Sequence, residues 1–331
     1  MKISLDAPAR HSGLLGLGHY RASRVVPNAE IIDAIDSSDE WIQQRSGIIE
    51  RRFATPEETV VSMSVGAARE AIADAGLAPG QIDTVIVATV SHLMQTPSAA
   101  SLIAGELGTT GAAFDISAAC AGFCHGMALA SDLVRGGTAN HVLVIGVERL
   151  SDITSPTDRG TAFIFSDGAG AAVVGPTEEA GIGPVVWGSD GTKSDLIRQN
   201  QDWQDVVDSD EPTMPYLTMQ GAEVFRWAAF EMAKVATETL ERTGISPADL
   251  DLFVPHQANM RITDAMARAM KLPDTVTIAR DIAHQGNASA ASVPLALRQM
   301  VLDGDAHSGD LALLIAFGAG LAYAAQVVRV P

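Results

Sequence analysis

Asp115-Ile116-Ser117-Ala118-Ala119-Cys120-Ala121-Gly122-Phe123 is the stretch of the sequence that decides the fold. An apolar, strand-like run ends in small residues, one cysteine follows, and apolar residues then recur with helical spacing up to Val134. This order predicts a strand, a tight turn and a helix, with Cys120 at the helix N-terminus. The unpaired N–H groups and the dipole of a helix stabilise a thiolate there, so we expect the pKa of Cys120 to lie below its ordinary value of about 8.5. A buried cysteine that packs as a small hydrophobic residue is the alternative interpretation.

The chain also contains an internal repeat. The sequence Gly76-Leu77-Ala78-Pro79-Gly80-Gln81-Ile82-Asp83 returns 168 positions later as Gly244-Ile245-Ser246-Pro247-Ala248-Asp249-Leu250-Asp251. The apolar run at 141–146 corresponds in the same way to the run at 310–315. Continuous Val/Ile/Leu runs are typical of buried parallel strands, so the repeat predicts two αβ halves of one topology. We expect a flexible leader at 1–12, an N-terminal half at 13–180 and a C-terminal half at 181–331.

The repeat indicates where a site would lie. Position 288, which is 168 residues after Cys120, lies in Gly286-Asn287-Ala288-Ser289-Ala290-Ala291-Ser292, a second run of small residues that opens a helix. Cys120 and Asn287 should therefore occupy pseudo-equivalent turns. His256 follows an apolar strand at 250–254 and precedes a helix predicted from Met260. Because strand ends meet at one crevice in such halves, we expect Cys120, His256 and Asn287 to converge there.

These three residue types suit acyl transfer. A cysteine at a helix N-terminus can take an acyl group as a thioester. Neutral histidine and asparagine side chains can donate hydrogen bonds to a developing enolate oxygen, and they act best in a dry pocket. The sequence Ala316-Phe317-Gly318-Ala319-Gly320 follows the last core strand and could bring a backbone N–H next to Cys120 as an oxyanion hole, although it is also an ordinary glycine-rich turn.

Composition excludes several other functions. The net charge of −18, from 22 basic and 40 acidic residues, argues against nucleic acid as a partner. Two cysteines are too few for a disulfide scaffold or a structural zinc site, and the eight histidines are scattered singly, so we expect no metal. No apolar run approaches the roughly 18 residues that span a bilayer, and the N-terminus lacks a signal-peptide pattern. We expect a soluble, cytoplasmic protein with no membrane or nucleic-acid partner.

The first predicted strand lies at 13–20, and a short helix that carries an aromatic and a basic residue is predicted after it. Ser37 and Glu40 have capping-box spacing, and Trp41 and Arg45 lie four apart on one face. An aromatic ring beside a guanidinium suits a nucleotide with phosphates. An ordinary surface helix with a packed tryptophan is the alternative.

Four motifs together resemble one known family. In order and spacing, the stretch at 115–123, Pro255-His256-Gln257-Ala258-Asn259, the run at 286–292 and Phe317-Gly318-Ala319-Gly320 are similar to the β-ketoacyl-acyl-carrier-protein synthase III family, above all its actinobacterial members. The resemblance implies an α/β protein with the thiolase fold, in which two duplicated halves form five layers, αβαβα. It also implies a homodimer and an acyltransferase that makes 3-oxoacyl-carrier protein to start fatty acid synthesis.

The resemblance assigns a role to each matching residue. Cys120 would attack an acyl-CoA and release CoA, malonyl-carrier protein would then lose CO2, and His256 and Asn287 would stabilise the enolate that attacks the Cys120 thioester. The amides of Cys120 and Ala319 would hold the oxyanion, and the CoA thioester is a substrate, so no cofactor is implied. The remaining assignments are Trp41, Arg45 and Arg159 on the CoA nucleotide, Phe225 on the pantetheine, and Arg226, Arg261, Arg268 and Lys271 at the carrier-protein docking surface.

The basic residues of that docking surface fit a simple physical argument. Arg261 and Arg268 lie seven apart, so they share a helical face. A local basic patch of this kind is what an acidic protein needs to dock an acidic carrier. Solvated charges with no partner are the alternative.

The sequence departs from the family pattern at four positions. Ala319 stands where the family often has glycine, Ala222 replaces an asparagine along the tunnel, and Gln285 stands where many relatives have histidine. Thr96 occupies the acyl-channel position at which some members carry phenylalanine. The smaller residue predicts a roomier channel that accepts branched or longer primers.

Other functions remain open at this stage. The same chemistry could prime a polyketide or another secondary pathway. A degradative thiolase needs a second catalytic cysteine near the C-terminus, which the 317–320 region lacks. A simple acyltransferase usually has the decarboxylating pair disturbed, whereas His256 and Asn287 are both present. Cys120 argues against a non-catalytic protein that only binds the carrier.

Overall fold

The computed structural model describes residues 10–331. Its strands are β1 (His11–Arg21), β2 (Arg24–Pro27), β3 (Glu50–Phe53), β4 (Thr84–Ala88), β5 (Ala112–Ile116), β6 (Val142–Arg149), β7 (Asp167–Thr177), β8 (Val186–Ser189), β9 (Ile197–Gln199), β10 (Leu217–Met219), β11 (Leu252–Pro255), β12 (Thr277–Ile278), β13 (Leu311–Gly318) and β14 (Ala322–Arg329). Its α-helices are α1 (Asp39–Ser46), α2 (Val60–Asp74), α3 (Ala99–Leu107), α4 (Gly122–Arg135), α5 (Trp203–Asp208), α6 (Gly221–Thr243), α7 (Met260–Met270), α8 (Ile282–Gln285) and α9 (Ser292–Asp303).

Two five-stranded sheets repeat one topology. The first has the order β1-β7-β6-β4-β5 and the second the order β12-β11-β13-β14-β8. In the first sheet β4 runs parallel to β5 and β6, while β7 is antiparallel to β6. In the second, β11 runs parallel to β12 and β13, while β14 is antiparallel to β13. The predicted duplication into two αβ halves is confirmed.

The helices complete five layers. Helices α4 and α9 lie between the sheets and contact strands of both, so they form the central layer. Helices α2 and α3 cover the outer face of the first sheet, and α6 covers that of the second together with α7, which packs against it. Strands β4 and β6 are buried on both faces, which explains their continuous Val/Ile/Leu composition. This is the αβαβα thiolase arrangement.

Two tight turns open the central helices. The 3-10 turn Ala119–Ala121 precedes α4, and the 3-10 turn Ser289–Ala291 precedes α9. Ala119 and Ser289 begin these turns in the left-handed region, with φ of 45° and 47°. Matching these two residues gives a local offset of 170 rather than 168, so Ala290 is the counterpart of Cys120. Asn287 belongs to the equivalent turn but lies three residues earlier.

Several predicted boundaries need correction. Residues 1–9 of the predicted leader lie outside the described residues, and β1 begins at His11, two residues before the predicted start. Ser38 caps α1 by accepting a hydrogen bond from the Trp41 N–H at 3.2 Å, so the predicted capping box of Ser37 and Glu40 is wrong. Strand β4 ends at Ala88, and the backbone after it turns so that the Val90 N–H donates to the buried side chain of Glu148.

Over residues 10–331, no helix combines the length and the apolar composition needed to cross a bilayer.

Close packing at Gly146 of β6 gives a stability prediction. A Cβ there would lie 2.7 Å from the carbonyl carbon of Ala290, so Gly146→Ala must push the second turn away from the sheet. We expect a loss of about 1–3 kcal/mol in the free energy of unfolding, measured by urea denaturation. Gly80→Ala is the matched control, since nothing lies within 4 Å of its added Cβ. Equal stability of the two variants would contradict the prediction.

Candidate active site

A cavity of about 760 Å³ lies where the ends of the two halves meet. The predicted catalytic residues Cys120, His256 and Asn287 all line it, although they come from three separate segments of the chain. It is also lined by other predicted site residues, namely Trp41, Arg45, Arg159, Ala222, Phe225, Arg226, Arg261 and Ala319. The sequence-based expectation that these residues converge therefore agrees with the structure.

Cys120 sits in the 3-10 turn that leads into α4, with part of its surface facing the cavity. The end of β13 packs directly against it. A Cβ at Gly318 would lie 2.7 Å from the Cys120 backbone nitrogen and 3.1 Å from its Sγ, so only glycine fits there. This close approach carries the following residue, Ala319, into the lining of the cavity.

The protonation state of Cys120 differs from the prediction. The pKa of the thiol is raised to about 12, because burial and, to a smaller extent, the nearby Glu148 carboxylate outweigh the lowering effect of a hydrogen bond from Ser289. The expected depression of the pKa is wrong, because the protein atoms around the thiol remove the water that would solvate a thiolate. Cys120 is therefore a neutral thiol at rest and must lose its proton when it attacks.

His256 follows β11 and is 3% exposed. Its ring lies edge-on to Phe317, with centroids 5.6 Å apart, and burial lowers its pKa to about 3. Its Nδ1 is 2.6 Å from the Ser292 hydroxyl oxygen, which also accepts the Gln257 N–H at 3.3 Å. Because the Ser292 oxygen already accepts one hydrogen bond, we assign the Ser292 hydroxyl as the donor and His256 Nδ1 as the acceptor. The imidazole is then neutral and carries its own proton on Nε2.

Asn287 is held at three points. Its backbone N–H donates to Ile164 O at 2.9 Å, and its carbonyl accepts the Ser166 N–H at 3.0 Å. Its side-chain Oδ1 accepts the Ser289 N–H at 2.8 Å, which fixes the amide plane. The Nδ2 group is thereby kept as the donor of this side chain. Two neutral donors, one from His256 and one from Asn287, therefore face one cavity.

Two further residues of the site, Ser289 and Glu148, were not predicted from the sequence. The Ser289 hydroxyl donates to Glu148 Oε1 at 3.3 Å and also hydrogen-bonds the Cys120 thiol. Glu148 is fully buried, and burial raises its pKa to about 7. Glu148 directly follows the apolar run 142–147, and this position at a strand end is the sequence feature from which it could have been predicted. Ser289 lay inside the quoted motif but was not singled out.

An aromatic and cationic cluster lies at another part of the cavity. Trp41 packs edge-on against Phe163, with ring centroids 5.3 Å apart. The guanidinium carbons of Arg159 and Arg45 lie 5.0 and 5.9 Å from the Trp41 ring centroid. This arrangement of two cations beside an indole can bind an aromatic base and its phosphates.

Three predicted site residues do not line the cavity. Thr96 is exposed, and Val90 lines the cavity instead from the start of the same loop. Arg268 and Lys271 are exposed at the end of α7, whereas Arg261 lies over the Phe225 ring at 5.1 Å. Gln285 is a structural residue here, since it donates to Asp167 O at 2.9 Å and accepts from Arg21 at 2.7 Å.

Within residues 10–331, no group of three or more His, Cys, Asp or Glu side chains is arranged to hold a metal ion.

Two family profiles match the chain. The one described as "3-Oxoacyl-[acyl-carrier-protein (ACP)] synthase III" matches residues 114–191, and the one described as "3-Oxoacyl-[acyl-carrier-protein (ACP)] synthase III C terminal" matches residues 240–330. The first match contains Cys120, and the second contains His256 and Asn287. Every predicted catalytic residue therefore lies within a matched segment.

Whole-length relatives agree with these profiles. The chain is 54% identical over 331 residues to "Beta-ketoacyl-[acyl-carrier-protein] synthase III" of Streptomyces glaucescens, covering 100% of this chain and 99% of that protein. It is 52% identical over 331 residues to "Mycobacterial beta-ketoacyl-[acyl-carrier-protein] synthase III" of Mycobacterium avium, covering 100% and 99%.

Solved structures share the fold. The priming β-ketosynthase of the R1128 polyketide biosynthetic pathway superposes with a TM-score of 0.96 at 45% identity, covering 99% of each chain. The 3-oxoacyl-[acyl-carrier-protein] synthase III of Aquifex aeolicus superposes with a TM-score of 0.90 at 37% identity, covering 96% of this chain and 100% of that one.

The raised pKa of Cys120 predicts how its alkylation depends on pH. Only the thiolate reacts, and a thiol with a pKa of about 12 is barely ionised near neutrality. The rate of alkylation by iodoacetamide, followed by intact-protein mass, should therefore rise about tenfold per pH unit without a plateau up to about pH 9.5. The Cys120→Ala variant controls for Cys124, which is fully buried. A rate that reaches a plateau below about pH 8 would instead show that the pKa of Cys120 is depressed, and would contradict this prediction.

Proposed function

The chain belongs to the β-ketoacyl-[acyl-carrier-protein] synthase III family, and on that premise we propose that Cys120, His256 and Asn287 carry its reaction. Enzymes of this family are condensing acyltransferases, and this chain joins an acyl-CoA primer to malonyl-carrier protein to initiate fatty acid synthesis. The products are 3-oxoacyl-carrier protein, CO2 and CoA. The observation that carries the residue assignment is the convergence of a thiol and two neutral donors in one cavity.

Acylation comes first in the proposed sequence. The Cys120 sulfur attacks the thioester carbonyl of acyl-CoA, loses its proton, and expels CoA. The tetrahedral oxyanion is held by the backbone amides of Cys120 and Ala319, whose segments are pressed together at Gly318. CoA acts as the leaving group of a substrate, and we propose no further cofactor.

Condensation follows on the acyl-enzyme. Malonyl-carrier protein loses CO2, and the electrons of the broken C–C bond form an enolate whose oxygen accepts hydrogen bonds from His256 Nε2 and Asn287 Nδ2. The enolate carbon attacks the Cys120 thioester and expels the sulfur as a thiolate, which takes up one proton from water to restore the thiol. His256 suits this role because it stays neutral, with a pKa lowered to about 3, and so does not protonate the enolate carbon.

The CoA nucleotide fits the aromatic and cationic cluster. We propose that the adenine packs on Trp41 while Arg45 and Arg159 bind phosphates, since both guanidinium groups lie beside the same ring. Phe225 lines the path between this cluster and Cys120 for the pantetheine arm. Ala222 lines the same cavity but offers no side-chain hydrogen bond to that arm.

The basic residues of α6 and α7 form the proposed docking surface for the carrier protein. Helices α6 and α7 pack against each other, and Arg226 and Arg261 line the same cavity. Arg268 and Lys271 are exposed further along α7 and at its end. Among the described residues, no carboxylate lies within 4.0 Å of the charged groups of Arg261, Arg268 and Lys271. These charges are therefore available to an acidic partner.

We further propose a homodimer formed along β5, the edge strand of the first sheet. Three large apolar side chains near this edge, Leu93, Met94 and Phe114, are between 38% and 54% exposed in the single chain. A second copy would cover them and would bring Thr96, which is exposed on the same loop, to an acyl channel. The small side chain at this position favours branched or longer primers.

A second function uses the same chemistry in another pathway. The structural likeness to the priming β-ketosynthase of the R1128 polyketide pathway favours a role in supplying a polyketide starter unit. The reaction at Cys120 would be unchanged, and the preferred primer would distinguish the two roles.

Intact-protein mass tests the assignment stage by stage. Mixed with acetyl-, isobutyryl-, butyryl- or octanoyl-CoA, the enzyme should gain the acyl mass, and Cys120→Ala should not. His256→Ala and Asn287→Ala should still acylate but discharge to malonyl-carrier protein about 100–1,000-fold more slowly, because each lacks one enolate donor. Their acylation is the internal control for folding. An adduct on Cys120→Ala, or discharge at the normal rate by both donor variants, would refute the assignment.

The docking surface gives a separate prediction. Arg268→Glu should raise the KM for malonyl-carrier protein about fivefold and leave acylation by acyl-CoA unchanged, because Arg268 lies outside the cavity. Arg242→Glu, at the far end of α6, is the control with the same change in net charge. The effect of Arg268→Glu should shrink at high salt. If both variants behave alike, the docking surface lies elsewhere.

A further inference from the structure

A hydrogen-bonded chain runs from the Cys120 thiol through the Ser289 hydroxyl to the Glu148 carboxylate. Ser289 is 3% exposed and Glu148 is fully buried, whereas the Cys120 end of this hydrogen-bonded chain faces the cavity. The assignments made above leave the carboxylate without a role and leave the thiol proton without an acceptor. Proton transfer along this hydrogen-bonded chain gives the carboxylate a role and the thiol proton an acceptor.

The single hydroxyl proton of Ser289 gives this chain a direction. When Glu148 is ionised, the hydroxyl donates to the carboxylate, and its oxygen can accept the S–H of Cys120. When Glu148 is protonated, the carboxyl donates to the Ser289 oxygen, and the hydroxyl can donate to a Cys120 thiolate. Both protonation states of Glu148 thus form a complete set of hydrogen bonds. The two states differ by the net transfer of one proton from Cys120 to Glu148.

Building on the proposed function, we propose that Glu148, acting through Ser289, takes up the Cys120 proton during acylation. As the sulfur attacks acyl-CoA, its proton passes to Ser289 Oγ while the Ser289 proton passes to Glu148 Oε1. As the C–S bond to CoA breaks, Ser289 donates a proton to the departing CoA sulfur, and Glu148 returns its proton to Ser289. One thiol and one thioester give one new thioester and CoA-SH, with no net change in Glu148.

Three hydrogen bonds on the other side of Glu148 keep the carboxylate in place. Oε2 accepts from Ser91 Oγ at 2.5 Å, from Val90 N–H at 3.1 Å and from Thr89 Oγ1 at 3.3 Å. These donors stabilise the ionised form and oppose the effect of burial, which raises the pKa of Glu148 to about 7. A carboxyl group with this pKa can both accept and return a proton near neutral pH.

Most other titratable groups near the carboxylate are engaged elsewhere. Cys120 interacts with Glu148 directly, and its pKa lies far above the relevant range. On the surrounding elements, Arg149 pairs with Asp152, and Asp167 accepts from Ala54 and Ser151. Glu70 pairs with His19 and Arg298, His125 bonds Ala121 O, and His256 bonds Ser292. His92 follows Ser91, and within residues 10–331 its buried Nε2 has no hydrogen-bond partner. An inflection near pH 7 is therefore assigned to Glu148 by its loss in Glu148→Gln.

The test measures acylation of the full-length enzyme by rapid-quench intact mass between about pH 5.5 and 9. In the native enzyme the acylation rate should fall as pH drops through about 7, because protonated Glu148 cannot accept the thiol proton. Glu148→Gln and Ser289→Ala should each acylate about 100-fold more slowly and lose this inflection. The double variant should be no slower than either single one, because both break the same chain.

Two further variants separate proton transfer from a structural role. Ser91→Ala removes a donor to Oε2, so it should keep the inflection but move it to higher pH. Glu58→Gln removes another buried carboxylate, one bonded by Tyr20, Ser23 and Thr55, and should leave both rate and inflection unchanged.

The outcomes are distinct. If the native enzyme does not acylate, the proposed function itself fails. If the native enzyme acylates but Glu148→Gln does so at the same rate with the same inflection, the Glu148 relay is overturned. Equal slowing of Glu148→Gln and Glu58→Gln, with the inflection kept in both, would also overturn it in favour of a structural role.

Discussion

Two glycines let the halves of this protein come into backbone contact, and the rest of the structure depends on that contact. Gly146 of β6 receives the turn that opens α9, and Gly318 of β13 receives the turn that opens α4. Each strand thus packs against the helix-opening turn of the other half. A side chain at either glycine would overlap backbone atoms, so the two halves would have to move apart. The catalytic cavity lies at this junction because both turns end there.

Two of the four non-glycine residues with positive φ in residues 10–331 lie at the same junction. Ala119 and Ser289 adopt left-handed conformations that cost a non-glycine residue about 1–3 kcal/mol. The central helices hold them there, since α4 and α9 are packed between two sheets. The duplicated turns have nevertheless diverged in chemistry. One presents Cys120 to the cavity, whereas the other has Ala290 at the matching position and contributes Asn287 and Ser289 instead.

Exclusion of water sets the charge of every group at the centre of the site. The same burial lowers the pKa of His256 to about 3 and raises those of Cys120 and Glu148 to about 12 and 7. The direction of the pKa shift differs because burial disfavours the charged form of each group. The charged form is the protonated form of a base and the deprotonated form of an acid. The cavity therefore offers neutral donors and a neutral thiol. Such groups suit a substrate whose charge develops only in the transition state.

Local patterns in the sequence determined the duplicated fold and the three candidate catalytic residues. A repeat of helix end, turn and strand start is visible without knowing any contact, and it predicted two like halves. Cys120, His256 and Asn287 could be found because each follows or opens an element that the apolar periodicity predicts. The same reasoning placed Trp41 and Arg45 on one helical face, but only the tertiary structure brought Arg159 to the same ring.

Only the tertiary structure decided the protonation of Cys120 and the surroundings of Glu148. The sequence predicted a lowered thiol pKa from the helix end, which is a local feature, whereas desolvation depends on every segment that encloses the sulfur. Glu148 and Ser289 are 141 residues apart, and their hydrogen bond exists because β6 lies under the turn of the other half. Periodicity and motifs report what neighbours in the chain do together. Burial and contacts between the halves arise only when the chain has folded.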